Sequence, residues 1–260
     1  MIKTVKTGGI EMEYFSFGSG DRDLVLLPGL SITSVMGVED AVVQGYAVFT
    51  EQYTVYVPDR RKNLPAAYTV CEMAEDTVQV LREIGIREAD FIGISQGGMM
   101  AQYIALEHPD MVHKLVLGST AAAVRSDTGS TTGSWSRDAE EGNAEKLVAD
   151  FMNRIYTPGF SNTFRDQFAH MASELTAEDL ARFTVLAKAA EGFDVSERLG
   201  EIRCPVFAIG AENDAVCPPS CSVEIAEKTG GEVYIYPDYG HAVYDEAPDY
   251  RQRILDFLNK

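Results

Sequence analysis

Hydrophobic positions along the chain alternate between two spacings. Residues 24–27, 53–57, 89–94, 115–117 and 205–210 are short, nearly continuous apolar runs, as strands buried on both faces should be. Between them, residues 70–84 place Val70, Met73, Ala74, Thr77, Val78, Leu81 and Ile84 three and four apart, which predicts one buried face of a helix ended by Gly85. Residues 96–108 predict a second helix, stopped by Pro109. Residues 35–49 predict a weaker helix, and 220–229 and 250–258 two more, the last with Ile254, Phe257 and Leu258 inward. Weakly alternating strands at 2–6 and 11–17, with a turn at Gly18-Ser19-Gly20-Asp21, predict an antiparallel start. A final strand falls at 232–236, and the strand at 53–57 is expected to end at Pro58-Asp59.

Strand and helix in alternation imply an α/β fold, a mostly parallel eight-stranded sheet with helices on both faces. Residues 121–192 interrupt it. The stretch 121–133 is small and rich in Ser, Thr and Gly, and reads as a linker or mobile loop. Helical patterns follow at 143–156, 161–172 and 176–190, the last opening on Thr176 with Asp179 three residues on. The expected organisation is a core of 1–120 and 193–260 carrying a helical cap, or lid, at 121–192.

The chain has 260 residues, room for one catalytic domain with an insertion. Lys and Arg number 22 against 40 Asp and Glu, a formal charge of -18. Such a surface repels phosphate backbones and anionic membranes, so neither nucleic acid nor membrane is an expected partner, and a small-molecule substrate is. No 18-residue apolar run exists and the first residues lack the apolar core of a secretory signal, so the expected location is cytoplasmic. Cys71, Cys204, Cys217 and Cys221 have no zinc-ligand spacing and are expected to be reduced. With four scattered histidines and no phosphate-binding glycine loop, neither a metal nor a cofactor is expected.

Gly93-Ile94-Ser95-Gln96-Gly97 fits the G-x-S-x-G pattern between a strand and a helix. The small residues allow a sharp turn that exposes the Ser95 hydroxyl at the carboxyl edge of the sheet. A serine hydroxyl needs a base to act as a nucleophile. His108 lies near a helix end, His113 opens a strand at the far edge and His170 sits in the cap. His241 follows Tyr239-Gly240 directly after the last strand, on the edge where Ser95 lies. Asp214 follows the 205–210 strand, giving the order Ser95, Asp214, His241. Glu212 is its nearest competitor, and Asp238 is better placed to fix a turn. An oxyanion needs two backbone N–H groups. Gln96, after the nucleophile, supplies one. Leu30, after Pro28-Gly29, is chosen for the other, with Ser31 next.

Together these features resemble the α/β-hydrolase superfamily over about 10–120 and 195–260. The run from Pro205 through Gly210, then Asp214, Pro218, Gly240-His241, Glu246 and Pro248, is similar to the usual ending of that family. The resemblance implies Ser95, Asp214 and His241 as a triad and Leu30 and Gln96 as the oxyanion hole. There are two departures. Pro28-Gly29 stands where many relatives carry His-Gly. Asp59-Arg60-Arg61-Lys62-Asn63-Leu64-Pro65 keeps an Asp and an Arg of a common Asp-x-Arg-Gly-x-Gly-x-Ser loop but none of its glycines. The three cations there read as a solvated, salt-bridged loop, or as a feature shaped for a partner or substrate. Serine at the nucleophile position argues against haloalkane dehalogenases and epoxide hydrolases, which form aspartyl esters.

The expected activity is hydrolysis of a small or medium carboxylic ester through an acyl-enzyme. Trp135, Phe151, Met152, Tyr156, Phe164 and Phe168 are the substrate-binding candidates in the cap. The same triad also serves a lactone, a thioester or a diketone carbon–carbon bond, and some members of the fold only bind small ligands.

Overall fold

Alternate side chains of each central strand enter opposite layers of core, and this organises the molecule. The computed structural model describes the backbone of residues 1–260 and the side chains of all but 126–130. The strands are β1 (Lys3–Thr7), β2 (Ile10–Gly18), β3 (Arg22–Leu27), β4 (Tyr53–Arg61), β5 (Ala89–Ile94), β6 (Val112–Gly118), β7 (Val206–Ala211) and β8 (Glu232–Tyr236). The helices are α1 (Glu39–Gly45), α2 (Val70–Glu83), α3 (Gln96–Glu107), α4 (Ser126–Glu140), α5 (Ala144–Ile155), α6 (Pro158–Thr163), α7 (Arg165–Glu174), α8 (Ala177–Lys188), α9 (Pro219–Thr229), α10 (Val243–Glu246) and α11 (Tyr250–Leu258).

The eight strands form one sheet in the order β1-β2-β4-β3-β5-β6-β7-β8. β1 and β2 pair antiparallel, β2 meets β4 antiparallel, and every other pairing is parallel. This is the mostly parallel sheet expected from the alternation. Val25, Leu27, Phe91, Leu115 and Leu117 pack with α2, α3 and α9 on one face. Leu24, Leu26, Ile92, Ile94 and Val116 pack with α11 and the segment around Phe49 on the other. β5 is buried along its whole length, so its carboxyl end is a rigid base for whatever follows it.

Several local expectations change. The weak helix at 35–49 is broken into a 3-10 turn (Val35–Val38), α1 and a second 3-10 turn (Ala47–Phe49). β4 runs past Pro58 to Arg61. Its pairing with β3 stops at Tyr56, so the missing Pro58 N–H falls beyond that ladder. The register jumps from Tyr14↔Pro58 to Met12↔Arg61, leaving Asp59 and Arg60 opposite one residue of β2. This bulge lets two consecutive side chains both turn inward, at 7% and 4% exposure.

The stretch 121–133 is not a linker throughout, because α4 begins within it. Trp135 of α4 packs at a tilt against Phe151 of α5 with ring centroids 4.6 Å apart, and tertiary packing of this kind overrides poor helix propensity. The helical pattern at 161–172 divides into α6 and α7. α8 starts with a full capping box, in which Thr176 and Asp179 each bond the other's backbone N–H. Helices α4 to α8 leave and return through one neck, where Val124 N donates to Phe193 O (2.9 Å) and Val195 N to Ala122 O (2.8 Å).

Candidate functional site

Ser95 links β5 to α3 with φ 51° and ψ -119°, a conformation that costs a residue with a Cβ of order 1–3 kcal/mol. The surroundings hold it. Its N–H donates to Gly118 O (2.9 Å), and its carbonyl accepts from Gly98 N (2.8 Å) and the Thr120 hydroxyl (2.7 Å). The flanking glycines are needed for close approach. A Cβ on Gly93 would lie 2.6 Å from Gly97 O, and one on Gly97 would lie 2.1 Å from Leu27 O.

The three residues singled out by order come together. His241 Nε2 lies 3.0 Å from Ser95 Oγ. His241 Nδ1 lies 2.8 Å from Asp214 Oδ2 and 3.0 Å from Oδ1. Asp214 Oδ1 also accepts from Val216 N and Cys217 N, each at 2.8 Å. An ionised carboxylate only accepts, so the imidazole proton sits on Nδ1 and Nε2 is free to accept from the serine hydroxyl. Asp214 is 4% exposed and His241 3%, so little water competes for these bonds. The two loops are tied to each other through Asn213 N to Tyr239 O (3.0 Å). The other histidines lie elsewhere. His108 sits against Glu75 (3.0 Å), His113 against Asp90 (2.7 Å), and His170 is exposed on α7. Glu212 is exposed, and Asp238 takes a positive φ of 64° in its turn.

Above Ser95 lies a cavity of about 40 Å³. Leu30 and Gln96 line it from the core, and Trp135 and Phe151 from the cap. Gln96 is the first residue of α3, so its N–H has no acceptor inside that helix. No backbone acceptor takes the Leu30 N–H among the described residues. Both residues thus line the cavity with backbone amides that no backbone acceptor takes among the described residues.

The other four cap candidates are placed elsewhere. Met152 and Phe168 face a separate cleft between α5 and α7. Tyr156 donates to Asp245 Oδ2 (2.9 Å) and stacks on Phe160, and Phe164 continues that aromatic row 4.4 Å beyond Phe160. The reason is helical phase: Phe151 and Ile155 occupy the buried face of α5, and Met152 sits about 100° around from Phe151. The cavity has further walls that sequence did not single out: Met99, Val124, Thr132, Ile155, Ala190, Val216, Cys217 and Tyr244. Val216, Cys217 and Tyr244 lie two or three residues from Asp214 or His241, and that adjacency was the available signal. Burial, and then the Asp214 charge, push the Cys217 thiol well above its ordinary value.

The cationic run at the end of β4 is not free, and its two arginines lie in the strand rather than in a loop. Arg61 pairs with Asp76 (3.3 Å) and Lys62 with Glu13 (2.9 Å). Asp59 pairs with Arg182 of α8 (2.8 Å). Arg60 is buried, which pulls its guanidinium down to about 10, still charged at neutral pH.

Among the described residues no group of His, Cys, Asp and Glu could hold a metal ion, and no helix is long and apolar enough to cross a membrane. Among the described residues no disulfide joins the cysteines.

This sheet, with a Ser–His–Asp hydrogen-bonded set at its carboxyl edge, defines a recognisable class of α/β protein. The family described as alpha/beta hydrolase fold matches residues 24–248, and the chain belongs to it. It is 24% identical over 222 residues to 3-oxoadipate enol-lactonase 2 of Acinetobacter baylyi, covering 82% of this chain and 79% of the relative. Among solved structures it is similar to MGS-M2, an alpha/beta hydrolase enzyme from a Medee basin deep-sea metagenome library, with TM-score 0.89, 24% identity and coverage of 99% and 98%. It is also similar to the enol-lactonase from Burkholderia xenovorans LB400, with TM-score 0.87, 18% identity and coverage of 99% and 100%.

Proposed function

We propose that the protein is a serine hydrolase acting on small, uncharged carboxylic esters, with Ser95 as nucleophile, His241 as base and Asp214 as its orienting partner. One observation carries this reading: His241 bridges Ser95 and Asp214 at hydrogen-bond distance, with both partners of the imidazole–carboxylate bond buried, beneath a mostly apolar cavity. His241 Nε2 takes the hydroxyl proton as Ser95 Oγ attacks the acyl carbon. The Leu30 and Gln96 amides hold the oxygen that becomes negative. His241 then returns the proton to the leaving alcohol oxygen. Water repeats the sequence on the acyl-enzyme, releasing the acid and restoring Ser95.

The walls favour a compact, neutral acyl group. About 40 Å³ holds about three waters, which favours a short acyl chain. No Lys or Arg lines the cavity among the described residues, so a carboxylate on the substrate would be buried without a partner. A lactone is the second reading. It is a compact ester whose leaving alcohol stays attached, and relatives named as enol-lactonases favour it.

The test is a panel of p-nitrophenyl esters from acetate to decanoate beside neutral and carboxylated lactones, with fluorophosphonate labelling. Turnover highest on short neutral substrates, with the label on Ser95 and absent from Ser95→Ala, supports the proposal. A folded protein that is neither labelled nor active on any of them overturns it.

A further inference from the structure

Arg60 is 4% exposed, yet among the described residues its guanidinium makes no ion pair. The neighbouring Asp59 carboxylate is taken by Arg182, by the Ser34 hydroxyl and by the backbone N–H of Arg60. The Arg60 guanidinium goes elsewhere. Its Nη2 donates to Pro28 O (2.9 Å) and to Gln96 Oε1 (3.1 Å), and lies 3.5 Å from Gly29 O. The Nε is buried with no partner. A buried cation with no direct ion pair is costly to a fold, and the charge of the neighbouring Asp59 offsets that cost only in part. Here its donors converge on the two segments that carry the Leu30 and Gln96 amides.

Peptide geometry makes the contact consequential. A trans peptide sets its C=O and N–H on opposite sides of one plane. With the Gly29 carbonyl drawn toward the guanidinium, the Leu30 N–H points away from it. The stronger bond to Pro28 O fixes the preceding peptide. On the other segment, the Gln96 side chain is held at both ends, by Arg60 at Oε1 and by Leu186 O of α8 at Nε2 (2.7 Å). The cap helix, the Gln96 side chain, Arg60 and the Pro28–Gly29 turn thus form one hydrogen-bonded chain.

We infer that Arg60 is a positioning residue for the oxyanion hole, one guanidinium setting the direction of both amide donors and coupling that setting to α8 of the cap. The inference rests on the serine-hydrolase reading. The retained charge acts in the same direction, since a fixed buried cation near the hole favours the negative charge that develops there. A purely structural arginine would show its removal as lost stability. A positioning arginine also leaves the Pro28 and Gln96 oxygens without their donor when removed, so the distinguishing sign is a matched loss of kcat and transition-state-analogue affinity, which a purely structural role does not give.

The experiment compares wild type, Arg60→Met and Arg60→Lys on a short p-nitrophenyl ester. It adds urea melts and inhibition by phenylboronic acid, whose tetrahedral serine adduct carries the negative charge of the reaction intermediate. Losing a whole oxyanion donor costs about 100–1000-fold in kcat, so misdirecting two is expected to cost Arg60→Met about 10–100-fold. KM should stay within about threefold, boronate affinity should fall by about the same factor as kcat, and Arg60→Lys should lie between, because one ammonium cannot serve the same acceptors in a plane. A folded Arg60→Met with kcat within about threefold of wild type overturns the inference, as does a kcat loss that leaves boronate affinity untouched. If Arg60→Met does not fold, the structural alternative is upheld unless folded Arg60→Lys reproduces the matched loss of kcat and boronate affinity. Fluorophosphonate labelling separates the two levels. An unlabelled Ser95 in wild type sinks the hydrolase reading itself, whereas labelled wild type with an unaffected Arg60→Met sinks only this inference.

Discussion

Asp214 meets His241 Nδ1 with both carboxylate oxygens, Oδ2 at 2.8 Å and Oδ1 at 3.0 Å, while Oδ1 is also anchored by two backbone amides of its own loop, Val216 N and Cys217 N, both at 2.8 Å. The carboxylate therefore cannot swing away from the imidazole without breaking its own turn. Asp214→Asn keeps the shape but offers an amide N–H to one side, so the imidazole can be held in the wrong tautomer with Nε2 protonated. A loss of about 10⁴-fold in kcat is expected for this exchange. Esterase assays on folded Asp214→Asn check it, and a loss under tenfold would remove Asp214 from the proposed role.

The link between Asp59 and Arg182 joins the end of β4 to α8 of the cap, with side-chain exposures of 9% and 18%. Its two halves are not equivalent. Removing Arg182 leaves Asp59 bonded to the Ser34 hydroxyl and the Arg60 amide, and beside the Arg60 charge. Removing Asp59 leaves two guanidinium groups facing each other with no anion between them. Asp59→Ala is expected to cost about 3–5 kcal/mol of stability, as for breaking a buried pair at one end. Arg182→Met should cost about 1–2 kcal/mol, the scale of one charged hydrogen bond at a partly exposed site. Urea denaturation of both variants is the measurement, and equal costs, or the reverse order, would show that the asymmetry is wrong.

How much of this was legible in the sequence follows the range of the interactions. The strands and the long helices are set by local periodicity, and the helix the pattern places at 70–84 is α2, Val70–Glu83. The G-x-S-x-G turn is a local pattern in sequence, and Gly93 makes room for Gly97 and Gly98 close by, although Gly97 makes room for Leu27 on the neighbouring strand. The meeting of Ser95, Asp214 and His241 is long-range, but a parallel sheet brings the carboxyl ends of its strands to one edge, so order along the chain carried that information. Two things were not legible. α4 owes its existence to Trp135 meeting Phe151 across the cap, whereas its own Ser, Thr and Gly content favours a loop. The bulge at Asp59 and Arg60 depends on register against β2, which no local pattern encodes. It buries Asp59 and Arg60, while Arg61 and Lys62 stay at the surface in salt bridges.

Phe151 connects the cavity wall to the packing of the cap. Its ring lies 4.6 Å from that of Trp135 and 6.0 Å from that of Phe183, and it borders the space above Ser95. Phe151→Ala deletes most of a buried aromatic side chain and should cost about 3–5 kcal/mol. Phe151→Leu keeps most of the apolar contact and should cost less than about 2 kcal/mol. Both enlarge the cavity on its cap side. The preferred p-nitrophenyl ester is therefore expected to shift to a longer acyl chain, more in Ala than in Leu. Chain-length profiles of kcat/KM check this. An unchanged profile in folded Phe151→Ala would mean that the acyl group lies elsewhere.

Cys217 stands in the cavity wall beside the proposed triad, yet it should behave as an inert thiol. Burial and the Asp214 carboxylate both disfavour its thiolate, and only the thiolate is alkylated readily. The direction of the pH effect follows. A folded-state value raised above that of the unfolded chain means that the native protein holds this proton where the unfolded chain has lost it. The contribution to stability is therefore complete below the ordinary thiol value, near 9, and is lost as pH rises through the folded value. Iodoacetamide at pH 8 should leave Cys217 unmodified in the native protein and modify it in denaturant, as read by peptide mass spectrometry. Cys217→Ala should also flatten the fall in stability between about pH 8.5 and 10.5, measured by urea melts against wild type. Rapid native alkylation of Cys217 at pH 8, or an alkaline loss of stability that persists unchanged in Cys217→Ala, would show that the thiol is not held in its neutral form.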